Sequence, residues 1–249
     1  MPGGEIQKVA QMAKIDRLFF PAFVLFGWIA VVMGFGPVVW KRFQGLSDGP
    51  ASVVLQVHVF AFVGWMALLS TQVLLVRVGH TALHRILGLG LVVLLPVMVV
   101  AGMWTEIESQ RRSDPQIEDD LRFIATPLIE TILFAGLAVA AFLKRNDPAS
   151  HKRLILMATS IILVAAFNRW WGESLDGWLG NGYWAPILSK YFGPNLLMAC
   201  GMAHDLNSRG TIHRTYLVAV PVVVTAEIVA GLIWHAAWWP EVARRIIGY

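Results

Sequence analysis

The chain contains one cysteine, Cys200, among 249 residues, and only 14% of its residues are charged. A single thiol excludes an intrachain disulfide, a CxxC redox pair and a thiolate metal cluster. The shortage of charge excludes an ordinary soluble globule, in which about 25% of residues are charged. In its place, 57% of the residues are hydrophobic and the mean hydropathy is +0.61. Soluble chains run near 45–50% apolar, so the composition points to an all-α integral membrane protein.

The net charge is +4. Lys and Arg sit in short clusters between apolar runs, where they set topology and meet anionic headgroups. There is no zinc-finger spacing, RNA-binding signature or basic stripe with interleaved aromatics. The expected partner is the lipid bilayer, with a second copy or other membrane subunits beside it, and no nucleic acid.

About 20 apolar residues cross a bilayer as a helix. Stretches near 18–40, 51–78, 86–104, 124–143, 154–171, 183–206 and 215–238 qualify, which predicts about seven spans in a single domain over 1–249. Asn181, Lys190, Pro194 and Asn195 interrupt the sixth, and six crossings result if it is an interfacial segment plus a short span. Residues 1–17 carry Lys8, Lys14 and Arg17, with Val9, Met12 and Ile15 at helical spacing, and read as an interfacial segment before an uncleaved anchor.

Seven crossings place eleven Lys and Arg on the N-terminal face and nine on the other. The positive-inside rule then predicts a cytoplasmic N-terminus. Nine tryptophans, from Trp40 and Trp104 to Trp238 and Trp239, fall near the second face, which supports the alternation of loop sides. The loop 105–122 is acidic, with Glu106, Glu108, Asp114, Glu118, Asp119 and Asp120, and lacks the calcium-loop pattern.

Ionisable groups inside spans are costly and mark cavities or helix pairs. His58, Glu130, Arg169 and His235 share one half of the membrane, with Glu227 near mid-span and Gln72 about four turns deeper than His58. These six are candidate lining residues of a ligand cavity, with His58 or Glu130 moving protons. The plainer alternative is internal pairing, such as Glu130 with Arg169.

The opposite face holds His80, His84 and Arg85, then His151, Lys152 and Arg153, then His204, Asp205, Arg209, His213 and Arg214. A His and a basic residue before an apolar span anchor a helix at the interface. Alternatively, His84, His151 and His213 converge on haem iron or a metal ion, both suited to neutral imidazole. His80 and His84, at i and i+4 with His151 as third ligand, would suit a divalent metal, although HTALH lacks the glutamate of HExxH. No nucleophile elbow, P-loop or dinucleotide fingerprint is present, and the seventh stretch has no lysine for a retinal Schiff base.

The placement of His84 and His151 at one level of two helices resembles the bis-histidine haem sites of b-type membrane cytochromes. The resemblance implies one haem b, because His58 has no histidine partner on the fourth stretch. A second resemblance rests on His58, Gln72 and Arg77 leading to His84-Arg85-Ile86-Leu87-Gly88. It continues in Pro148-Ala149-Ser150-His151-Lys152-Arg153-Leu154, Arg169, and Asp205 through Gly210 to His213. These resemble uncharacterised multi-pass membrane proteins of bacteria over roughly 50–215. That resemblance implies a bacterial inner-membrane location and no particular activity. The expected function is haem or metal binding through His58, His84, His151 and His213 with a redox role. The alternatives are a non-catalytic small-ligand or transport protein, or an accessory subunit.

Overall fold

Most long helices are apolar around their whole circumference, the pattern of helices surrounded by lipid and one another. The computed structural model describes residues 2–46, 49–112 and 118–248, with side chains for 18–46, 49–112 and 121–248. Among these residues there are eleven helices and no strand: α1 (Pro2–Phe43), α2 (Val53–Arg77), α3 (Thr81–Gly88), α4 (Leu91–Arg112), α5 (Glu118–Phe123), α6 (Ala125–Leu143), α7 (Pro148–Ile162), α8 (Val164–Leu179), α9 (Ala185–Arg209), α10 (Arg214–His235) and α11 (Trp239–Ile247). The side chains of Lys8, Lys14, Arg17, Asp114, Glu118, Asp119 and Asp120 lie outside the described residues, and so do the readings placed on them.

Among the described residues, five segments are long and apolar enough to cross a membrane: Leu18–Phe43, Val53–Arg77, Leu91–Arg112, Leu121–Leu143 and Arg214–His235. A sixth follows if α7 and α8, bent by 52° at Leu163, count as one broken span. The sixth expected stretch forms a helix of 25 residues, α9, which is too polar to join them. The third expected stretch is preceded by a separate short helix, α3, and α4 runs on into the acidic loop. The terminal helix α11 has an amphipathic sequence with Arg244 and Arg245 in its last turn.

Local chemistry sets the ends of these helices. The Ser52 hydroxyl accepts the Leu55 amide at the start of α2. Asp147 does the same for the Ser150 amide at α7, where Pro148 occupies the first turn. Gly79, at φ 83°, turns the chain sharply from α2 into α3.

The helix α7 forms the centre, with Met157, Ala158, Thr159 and Ser160 all 0% exposed. It packs on α6, α9 and α10, while α8 packs on α1 and α9. The helices α1, α2, α4, α6, α10 and α9 follow one another around this bent pair. Small residues permit the close crossings. A Cβ on Gly34 of α1 would lie 2.3 Å from the Ala166 carbonyl oxygen of α8, and one on Gly193 of α9 would lie 2.2 Å from the Phe167 ring. The outward faces keep large apolar side chains exposed, including Leu25, Phe60, Val93 and Val218.

Candidate functional site

A cavity of about 770 Å³ opens between α1, α2, α3 and α7. This lies within the roughly 300–1,000 Å³ typical of small-ligand sites. Its wall is apolar, with Phe23, Val24, Trp65, Leu69 and Leu91 among the lining residues. Arg77, Arg85, Arg145 and Lys152 also line it, so among the described residues its charged groups are cationic.

Two histidines meet here. His84 is carried by α3, which Gly79 folds back onto α2. His151 sits in the first turn of α7, below the Asp147 cap. Their ring centroids are 6.3 Å apart and the planes stand at 87°. The Nδ1 of His151 is 2.8 Å from the Ala141 carbonyl oxygen of α6. A proton on that nitrogen would donate to the carbonyl and leave the Nε2 lone pair free, the arrangement usual for a metal-bound imidazole. His84 Nδ1 and both amide atoms of Gln72 are buried without a hydrogen-bond partner. Burial holds the His84 imidazole below the ordinary histidine value, opposed by a hydrogen bond to the Gln72 backbone and reinforced by His151 and Arg85. The neutral form so favoured is the one that ligates metals.

The other histidines are elsewhere. His80 is exposed at the start of α3, with no side-chain cap bond. His213 caps α10: its Nδ1 accepts the Thr215 amide at 3.2 Å, and its own amide donates to Asp205 at 3.1 Å. His58 lies towards the opposite end of α2, packed on Phe62 at 4.3 Å, with Nδ1 buried and unpartnered. Of the four histidines expected to bind a cofactor, only His84 and His151 share a site. Among the described residues no three His, Cys, Asp or Glu side chains are placed to hold a metal, so His80, His84 and His151 do not form a three-ligand set.

Of the six polar residues expected in one cavity, Glu130 and Glu227 share a polar cluster, while Gln72 and His235 lie apart from it. Gln72 lines the His84 cavity. His235 is near the surface of α10, with Nε2 2.8 Å from the Tyr183 carbonyl oxygen and its ring stacked on Tyr183. Glu130 faces Lys190 at 3.8 Å, rather than Arg169. Arg169 donates to the Ala165 carbonyl at 3.0 Å and lies over the Phe35 ring. Glu227 accepts from Asn195 at 2.9 Å.

Lys190 was visible in the sequence only as an interruption of a span, and its role follows from the partners it finds. Three strongly polar residues of α9 are matched on other helices. Lys190 faces Glu130 of α6, Asn195 bonds Glu227 of α10, and Asp205 pairs with Arg153 of α7. A lysine and a carboxylate in separate apolar stretches are the signal for such a pair.

Comparison of the chain with protein-family models, curated proteins and solved structures finds no match.

Proposed function

We propose that this chain is a seven-span protein of a bacterial inner membrane, with its N-terminus in the cytoplasm, that binds one haem b between His84 and His151. The observation that carries the reading is the 6.3 Å separation of the two imidazoles beside a 770 Å³ apolar cavity. At that separation His84 and His151 would be the residues that hold the haem iron. The donor set also fits: two neutral imidazoles suit haem iron, and the carbonyl behind His151 orients its ring. The apolar wall suits a porphyrin face, and Arg77, Arg85, Arg145 and Lys152 suit its acidic side chains.

Bound haem b would supply a reversible one-electron couple. The chain's own residues would orient the ring, exclude water from it and balance its carboxylates. Two histidines leave a lone divalent ion short of protein ligands, which favours haem over a metal site.

Seven crossings are supported by α9. Its 25 residues extend roughly 37 Å, beyond the hydrocarbon thickness of about 30 Å. Its interior Lys190, Asn195 and Asp205 face partners within the bundle, so the polarity of the helix need not meet lipid. The eleven-to-nine excess of basic residues on the His84 side supports the cytoplasmic placement of that end.

The test is an absorption spectrum of the protein in mild detergent, oxidised and then reduced with dithionite, as purified and after addition of haem b. The expected result is a Soret band that shifts on reduction and is lost in both His84→Ala and His151→Ala. A protein that stays colourless with haem added overturns the reading. The cationic lining then favours the non-catalytic alternative, a carrier of an acidic amphiphile, which would appear as a co-purifying lipid acid.

A further inference from the structure

The end of the bundle away from His84 holds a second polar group that the haem reading does not use. Lys190, Tyr191 and Asn195 of α9 meet Glu130 of α6 and Glu227 of α10. Tyr191 is 2% exposed and Glu227 6%. Oε2 of Glu227 accepts from Asn195 Nδ2, but its Oε1 is buried with no partner. The Tyr191 hydroxyl is also buried, within reach of the Glu130 carboxylate and close enough to Glu227 to feel its charge.

Charge balance distinguishes the two carboxylates. Lys190 lies 3.8 Å from Glu130 and offsets it, and the ammonium also rests over the Phe123 ring at 3.8 Å. Two further charged groups act on Lys190 from neighbouring helices, Glu106 of α4 and Arg169 of α8. Glu227 has an amide as its hydrogen-bond partner and no cation within ion-pair distance among the described residues. A carboxyl group withdrawn from water with no counter-charge is favoured as the neutral acid. Protonation at Oε1 removes the uncompensated negative charge from an oxygen that no donor reaches.

We propose that Glu227 and Tyr191 form a proton-binding site in this half of the bundle, in which Glu227 Oε1 holds one exchangeable proton beside the Glu130–Lys190 pair. Release takes the proton from Oε1 to water and leaves the carboxylate. Uptake reverses this, and neither step moves an electron. The site is independent of any haem, so the colourless outcome above does not bear on it.

The test is infrared spectroscopy of the full chain in detergent from mildly acidic to mildly alkaline pH, in light and heavy water. The wild type is expected to show a carboxylic-acid carbonyl band at neutral pH that shifts on deuteration and is absent in Glu227→Gln. In Glu130→Gln the band should persist but vanish at a lower pH than in the wild type, because a neighbouring negative charge has gone and Lys190 is freed to offset Glu227. Tyr191→Phe should shift its frequency. No acid band in the wild type, or an unchanged band in Glu227→Gln, overturns the proposal. If Glu227→Gln does not fold, a band unmoved by both Glu130→Gln and Tyr191→Phe overturns it, and a band moved by either supports it.

Discussion

Asp205 of α9 accepts a hydrogen bond from Arg153 Nε of α7 at 2.8 Å and a second from Arg153 Nη2, with the two side chains 1% and 2% exposed. The same carboxylate accepts the His213 amide, and Arg153 Nη1 donates to the Ala149 carbonyl at 2.6 Å. Thr215 then bonds Ser150, which is held by Asp147. One network therefore joins the starts of α7 and α10 to α9.

Breaking this pair on one side should be severe. Asp205→Asn or Arg153→Met leaves polar atoms buried without their charge partner, a loss of about 3–5 kcal/mol. Thermal unfolding in detergent should register it as a large drop in Tm. Replacing both residues with apolar ones should recover only part, because the His213 amide still loses its acceptor. Full recovery would mean that the cap contributes nothing.

His213 should make stability depend on pH. Burial, reinforced by the charge of Arg153, holds its imidazole below the ordinary value of 6.5, and its Nδ1 must stay unprotonated to accept the Thr215 amide. The unfolded chain takes up the proton first as pH falls. The contribution is therefore complete above pH 6.5 and declines as pH drops towards the lower folded value. His213→Asn supplies a cap that does not titrate, so its Tm should fall less than that of the wild type across this window. Equal slopes would show that other groups govern the acid response.

The cationic lining predicts a separation between binding and ligation. Arg77→Gln or Arg85→Gln should each weaken haem b retention by about tenfold, equivalent to one charge-assisted hydrogen bond of about 1.5 kcal/mol. The Soret position should stay unchanged, since both histidines remain. A haem titration followed by spectroscopy reads both quantities, and a shifted Soret band would place the arginine closer to the iron than proposed.

Two glycine substitutions of the same kind should have opposite effects. Gly34→Ala drives its Cβ against the Ala166 backbone of α8, where neither chain can yield without parting α1 from α8. Gly136→Ala meets nothing within 4 Å and should gain up to about 1 kcal/mol of helix propensity. Thermal unfolding should show Tm falling in the first variant and steady or rising in the second.

Much of the architecture was legible because a helix in lipid must be apolar over a fixed length, and five of the expected stretches meet that condition. Length and hydropathy could not reveal the bend at Leu163, the separate α3 or the terminal α11, which depend on turns and packing. The histidines and buried charges were legible as types that do not belong in an apolar chain. Their groupings were not. Gln72 goes with His84, and Glu130 goes with Lys190 instead of Arg169, because depth along a helix specifies a level but not a facing direction.

The sequence by itself determined an all-helical chain with several membrane-length apolar segments, and it singled out the polar residues that need a reason to be there. Only the tertiary structure decided which of them meet. Rotation of each helix about its axis is set by side-chain packing and close glycine contacts. That rotation brings His84 to His151, separates both from His58 and His213, and turns the polar side chains of α9 towards partners on three other helices.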